Sequence, residues 1–241
     1  GILDMERAAK ISGARFFFLK NEGVLLDQAL QRFAIDSLLK KGFSLTQPPF
    51  LMRKEPYKGV VDLGDFEDVM YKIEGEDLYL IATSEHPLVA QFQGETLPES
   101  SLPLKLAGVS PCFRKEAGSH GKDTKGIFRV HQFNKIEQVI LCRPQDSWKL
   151  HEELLKNAEE IFKELELPYR VVLLCSGDTG KVMSKTYDIE VWMPRTQQYR
   201  EAVSASMASD YQARRLGIRY RTAEGMKFVN TLNSTAIATP R

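Results

Sequence analysis

Between residues 24 and 41 apolar side chains recur at helical spacing, with Leu26, Leu30, Phe33, Ala34 and Leu38 along one stripe. Gly42 follows Lys40 and Lys41, a C-terminal stop signal. FSLTQPPFLM then reads as a short extended run, held out of helix by Pro48 and Pro49. Residues 70–82 (MYKIEGEDLYLIA) read as a hairpin turning at Gly75. Asp146 or Ser147 caps a long helix to about Leu165, with Trp148, Leu154, Leu155, Ala158, Ile161 and Phe162 on its buried side. Strands are expected over 103–114, 127–142, 169–175, 187–193, 199–206 and 226–232. They join mainly through hairpin-length loops, and the helices come in separate blocks. That order predicts an α+β fold, an antiparallel β-sheet flanked by helices, rather than a parallel βαβ sheet. No repeat or low-complexity linker divides residues 1–241, so one continuous domain is expected.

Composition narrows the class without naming a function. At 241 residues, 43% hydrophobic and 27% charged, the chain can bury a core without staples. Disordered, collagenous and coiled-coil classes are excluded. Lys and Arg number 33 against 32 Asp and Glu, so any polyanionic partner must be met by local patches. Cys112, Cys142 and Cys175 are far apart and form no CxxC, which argues against a disulfide framework or a zinc cluster and fits a reducing compartment. No apolar run is long enough to predict a membrane span, and GILDMERAAK has no signal-peptide pattern.

Generic chemical motifs mostly fail. GSHGK at 118–122 has the wrong glycine spacing for a phosphate loop, HExxH and GxSxG are absent, and His86, His120, His131 and His151 are scattered. One segment stands out. PCFRKEAGSHGKDTKGIFRVHQFNKIEQ, from Pro111 to Gln138, is a strand, a polar loop with Gly118, Gly121 and Gly126, and a second strand. Arg114, Lys115, Lys122, Lys125 and Arg129 stand against Glu116 and Asp123. Arg129, Phe133, Lys135 and Glu137 share a parity, hence one face if no bulge intervenes. Such a face could hold a phosphate beside an amine. On charge alone it reads first as a solvated hairpin, since surface hairpins are usually charged.

FRKEAG followed by GIFRVHQFNKIE resembles motif 2 of the class II aminoacyl-tRNA synthetases, in the form found in seryl-tRNA synthetases. Further pieces agree in order. GFSLTQPPFL resembles motif 1 with Pro49 in its proline position, and TSE at 83–85 resembles the TxE serine-binding loop. YREAVSASMASDYQARRLGIRYR at 199–221 resembles the nucleotide-site strand, and NTLNSTAIATPR at 230–241 the start of motif 3. The resemblance spans essentially the whole chain.

That resemblance implies ATP-dependent joining of L-serine to tRNA(Ser) through seryl-adenylate, with Mg2+ accompanying ATP. The serine carboxylate is already ionised at neutral pH, so positioning and charge stabilisation are what the site must supply. Arg114 would hold the α-phosphate, and Arg129 and Arg241 the outer phosphates, since the guanidinium fork suits phosphate oxygens. Lys115 and Glu116 would lie at the nucleotide, Glu116 at its adenine end. Glu201, Ala202, Val203 and Ser204 would line the ATP site, with Glu201 and Ser204 as oxygen ligands for magnesium. Thr83, Ser84, Glu85, Glu137, Asn233 and Thr235 would receive serine. Bland alternatives stay open: surface ion pairs for the arginines, pairing of Glu201 with Arg195 or Arg200, a helix N-cap for Thr83, and a solvated cluster for Arg214, Arg215, Arg219 and Arg221.

The resemblance also implies a homodimer built on motif 1, a cytoplasmic or organellar-matrix location, and no zinc or membrane partner. Two departures are visible. Met207 stands where the family usually has asparagine, which is expected to remove an amide near the site. The family's coiled-coil tRNA-binding arm and the helix after motif 3 are not in the sequence, so weak serine activation and poor tRNA charging are expected of the chain as written. The competing reading is a paralogue or fragment that keeps the fold as a binding module.

Overall fold

The helix expected over 24–41 forms over Glu22–Lys40 (α1) in the computed structural model, which describes residues 1–62, 64, 66–116 and 126–241. Only its second half is fully covered. Ala34 and Leu38 are 0% exposed, whereas Leu25 and Leu26 are 65% and 56% exposed. The chain reverses at Gly42, whose φ of +80° favours glycine, and enters β1 (Ser44–Thr46). After a short helix, Lys54–Val60, the TSE segment leads into α2 (Glu85–Ala90). Then come β2 (Leu104–Phe113), β3 (Gln132–Cys142), α3 (Ser147–Glu164), β4 (Tyr169–Leu173), β5 (Lys185–Met193) and β6 (Gln198–Ser209). The described chain closes with α4 (Tyr211–Leu216) and β7 (Asn230–Ala238).

These strands form one seven-stranded sheet in the order β1-β2-β3-β7-β6-β5-β4. Every pairing is antiparallel except β1 with β2. The α+β expectation therefore holds, with one parallel edge added. Strand alternation assigns the two faces. Ile136, Ile140 and Cys142 of β3 pack with Ala34 and Leu38 of α1 and Leu154 and Ile161 of α3. Val139 and Leu141 point the other way, into a cluster with Tyr57, Ile81, Leu88 and Leu216. Lys135 and Glu137 share their parity, so that second face ends in buried charged groups.

Four expectations change. The strand expected over 127–142 begins only at Gln132, so Arg129 reaches its place from the preceding loop rather than from the strand face. The run 226–232 divides: Gly225–Phe228 belongs to a small sheet with Arg219–Thr222 and Thr96–Pro98, and the chain passes through buried Val229 into β7. KFVNTL contains neither glycine nor proline to signal that change of sheet. Trp148 is 60% exposed instead of buried, lying beneath the Lys185 ammonium at 5.1 Å from the ring centroid. Met207 lies opposite Leu232 and faces the apolar layer beneath α1 and α3 at 2% exposure. It contributes packing on the far side of the sheet and withholds nothing from the polar face.

Candidate functional site

Arg114 follows directly on β2, and its backbone is tied to the loop before β3: its N–H donates to the His131 carbonyl at 2.9 Å, and its own carbonyl meets His131 Nδ1 at 2.8 Å. Its Nε donates to the Ala82 carbonyl at 3.2 Å and its guanidinium lies 5.2 Å from the Phe133 centroid. The cation is thus aimed before any anion arrives. Arg129 stands 3.6 Å from Glu116, and Arg241 3.0 Å from Glu201. Phe128 lies between Arg200 and Arg241, at 4.5 and 5.3 Å from its centroid. Glu116, Phe128, Arg129, Phe133, Pro240 and Arg241 line one small pocket. The three predicted phosphate arginines therefore converge, and Arg129 and Arg241 each rest on a carboxylate that an incoming anion could displace. Burial pulls the Arg241 guanidinium below its ordinary value, although guanidinium stays charged at any physiological pH.

Lys115 is exposed next to this cluster. Gly118, Gly121, His120, Lys122, Asp123 and Lys125 lie outside the described residues.

Ser204 lies opposite Asp188 across the β5–β6 pair, and Glu201 opposite Glu190, with Ala202 absorbed in the irregularity between them. Ala202 and Val203 are buried apolar positions, so their backbone alone can serve a nucleotide. Glu201 meets Arg241. Asp188 did not stand out in the sequence. Its Oδ1 is buried without a hydrogen-bond partner, and desolvation plus the nearby Glu201 carboxylate raise its pKa to about 6. An orphaned carboxylate oxygen beside a carboxylate and a hydroxyl is a fitting donor set for a magnesium ion that shares phosphate oxygens.

The predicted serine residues form a second group. Thr83, Ser84, Glu85, Glu137, Asn233 and Thr235 are each less than 9% exposed. Lys135 Nζ lies 2.6 Å from Glu137 Oε2 and donates to Thr83 Oγ1 at 2.8 Å, and Thr235 Oγ1 donates to the same Glu137 oxygen at 3.4 Å. Strands β3 and β7 with the TSE turn thereby hold one polar chain of groups. Thr83 Oγ1 accepts from Glu85 N–H at 3.2 Å, a capping bond to the first turn of α2, while Ser84, already helical in its backbone, makes no side-chain cap bond. Glu85 accepts from Gln212 Nε2 at 2.9 Å. Burial, then the Glu137 charge, raises the Glu85 pKa to about 7. Beside it, burial and the cations Lys135 and Arg114 lower His86 to about 3, so it stays neutral. Its Nδ1 lies 3.3 Å from the Tyr57 hydroxyl, which also receives the Ala82 N–H at 3.2 Å.

The basic cluster of 214–221 stays away from this chemistry. Arg214 pairs with Asp210 at 2.7 Å, and Arg215 donates to the Lys58 carbonyl at 2.7 and 2.9 Å.

The TSE turn depends on Gly108 of β2. A Cβ there would sit 2.4 Å from Ser84 Oγ and 2.7 Å from Leu88 Cδ1. Gly108→Ala is expected to cost about 1–3 kcal/mol by overpacking and to shift Thr83 and Glu85. A thermal melt combined with amino-acid binding checks this: unchanged melting and binding would show that the turn yields freely.

The fold is that of a tRNA synthetase core. The description "tRNA synthetase class II core domain (G, H, P, S and T)" matches residues 69–241, and the chain belongs to that family. Within it the chain is similar to serine–tRNA ligases. It is 61% identical to the one from Methanocella arvoryzae, over 100% of this chain and 57% of that protein. It superimposes with a TM-score of 0.97 on seryl-tRNA synthetase from Pyrococcus horikoshii complexed with ATP, at 57% identity over 99% of this chain and 54% of that one. The cytoplasmic serine–tRNA ligase of Naegleria fowleri in complex with AMP gives a TM-score of 0.94 at 45% identity, over 99% of this chain and 57% of that one. The chain therefore spans about half the length of its relatives. Among the described residues no helix is long and apolar enough to cross a membrane.

Proposed function

We propose that the chain is the catalytic core of a serine–tRNA ligase, activating L-serine with ATP and passing it to tRNA(Ser). The observation that carries this reading is the junction of two polar groups on one sheet face, with Arg114 between them. On one side stand Arg129, Arg241, Glu201 and Ser204, suited to a triphosphate. On the other stand Thr83, Glu85, Glu137 and Thr235, suited to a small hydroxy-amino acid.

The residues then have separate tasks. Glu85 and Glu137 bring two carboxylates and Lys135 one cation, a balance left for the substrate ammonium to complete. Thr235 and Glu137 are placed to pair with the serine hydroxyl; alanine would forgo those bonds and bind less well. Arg114 brings the serine carboxylate and the α-phosphate together and takes up charge that builds on the phosphoryl oxygens. Arg129 and Arg241 move from Glu116 and Glu201 to the outer phosphates. Glu201 and Ser204, with Asp188 beside them, would hold Mg2+, which supplies charge neutralisation on the phosphates when bound. Asn233, buried on β7, supports the amino-acid end. The polar constellation is kept whole, at the cost of burying charge, and this does not favour the binding-module alternative. Charging of tRNA(Ser) transcript with labelled serine by the intact protein tests the proposal; charging with another amino acid in its place overturns it.

We also propose that the intact protein is a homodimer joined across α1 and β1. Leu25, Leu26, Leu39 and Leu45 are 65%, 56%, 45% and 48% exposed along this stretch, an apolar face that a second copy would cover. Sedimentation at micromolar concentration should give a dimer, and Leu25→Glu with Leu26→Glu should give monomers. A monomeric parent would contradict the assignment.

A further inference from the structure

We infer that Gln212 is a positioning residue for amino-acid activation: it fixes the Glu85 carboxylate for the substrate ammonium, and Thr231 fixes Gln212. The inference rests on the serine site proposed above. Gln212 is 0% exposed and lies on α4, outside the group of residues expected to touch substrate. Its Nε2 donates to Glu85 Oε1 at 2.9 Å and to the Val60 carbonyl at 3.2 Å. Its Oε1 accepts from Thr231 Oγ1 at 2.5 Å. Both amide hydrogens and the carbonyl are used, and only one orientation works. A flipped amide would set its oxygen against the Glu85 carboxylate and the Val60 carbonyl, two contacts between acceptors.

Packing alone does not call for this residue. Methionine would fill much the same volume, and volume-conserving exchanges in cores are tolerated. What methionine cannot do is donate. Gln212 spends one N–H on one oxygen of Glu85 and leaves Oε2 for a ligand. It ties α4, α2, β7 and the helix Lys54–Val60 to one carboxylate.

A donor to the charged form also keeps Glu85 ionised against its surroundings. Those surroundings are Glu137 and Lys135 from β3, Arg114 at the end of β2, Tyr57 from the helix Lys54–Val60, and neutral His86 on α2 itself. Burial and Glu137 push the carboxyl up; Gln212, Lys135 and Arg114 oppose them. Without Gln212, Glu85 would hold its proton to higher pH and serine would bind less well at neutrality.

The test is serine-dependent ATP–pyrophosphate exchange by the intact protein carrying Gln212→Met or Thr231→Val, with Glu85→Gln in parallel. Loss of a hydrogen bond to a charged group predicts a KM for serine raised about 10–100-fold in Gln212→Met. The KM for ATP should stay within about 2-fold, and the acid limb of kcat/KM for serine should move to higher pH. Thr231→Val should move the same quantities the same way by about 3–10-fold, because it frees Gln212 without removing it. If Gln212→Met does not fold, Thr231→Val carries the test. A folded Gln212→Met with unchanged serine KM and acid limb overturns the inference. So does a fall in melting temperature with serine and ATP affected alike, which marks a merely structural residue. If the parent protein shows no serine-dependent exchange, or Glu85→Gln leaves serine KM unchanged, the underlying serine site fails and this inference fails with it.

Discussion

Arg114→Ala is expected to lower seryl-adenylate formation by at least ~100-fold, because a preorganised donor to developing charge is worth about 2.7–4 kcal/mol. The preorganisation is specific. The Ala82 carbonyl and the Phe133 ring hold the guanidinium, His131 fixes the Arg114 backbone, and none of these contacts is an anion. Lysine would keep the charge but lose the planar fork, so Arg114→Lys should recover little. Single-turnover formation of adenylate, measured at saturating serine and ATP, checks both variants. Exchange at the parent rate in Arg114→Ala would remove Arg114 from the α-phosphate.

The second large effect concerns the buried pair Lys135–Glu137, whose side chains are 6% and 2% exposed. Glu137→Ala strands the ammonium in the interior and should cost about 3–5 kcal/mol of stability. It should also abolish serine activation, since Glu137 is the proposed partner of the substrate hydroxyl. The two consequences can be separated. In the double variant Lys135→Met with Glu137→Leu no charge is stranded, so stability should return to within about 1–2 kcal/mol of the parent. Serine activation should remain lost. Urea melts and exchange assays on the same preparations read both quantities. A double variant that regained activity would show that the pair is structural only.

Much of this site could be read from the order of residues along β3. Period-two spacing placed Phe133, Lys135 and Glu137 on one face, and the structure keeps them there. The same arithmetic failed for Arg129, because the strand starts three residues later and the arginine arrives on a loop. The long helix and the central strands were legible because each has its own period. The sheet order was not: β7 pairs with β3 and β6, so neighbours in space are distant in sequence. The assignment of roles came from resemblance to a family and not from spacing. Contacts such as Gln212 to Glu85 join positions 127 residues apart, and no local pattern marks them. Asp188 was likewise invisible, since only the fold reveals that one of its oxygens has no partner. Met207 shows the converse error. A polar residue was expected to be missing from the site, but strand parity turns that position towards the core.

The most direct measurement is ATP–pyrophosphate exchange by the parent protein without tRNA, with serine and alanine compared under the same magnesium concentration. The proposed site predicts rapid exchange with serine and a rate lower by about 100-fold with alanine, which forgoes the bonds that Thr235 and Glu137 offer the hydroxyl. Equal exchange with both amino acids, or none with serine, would contradict it.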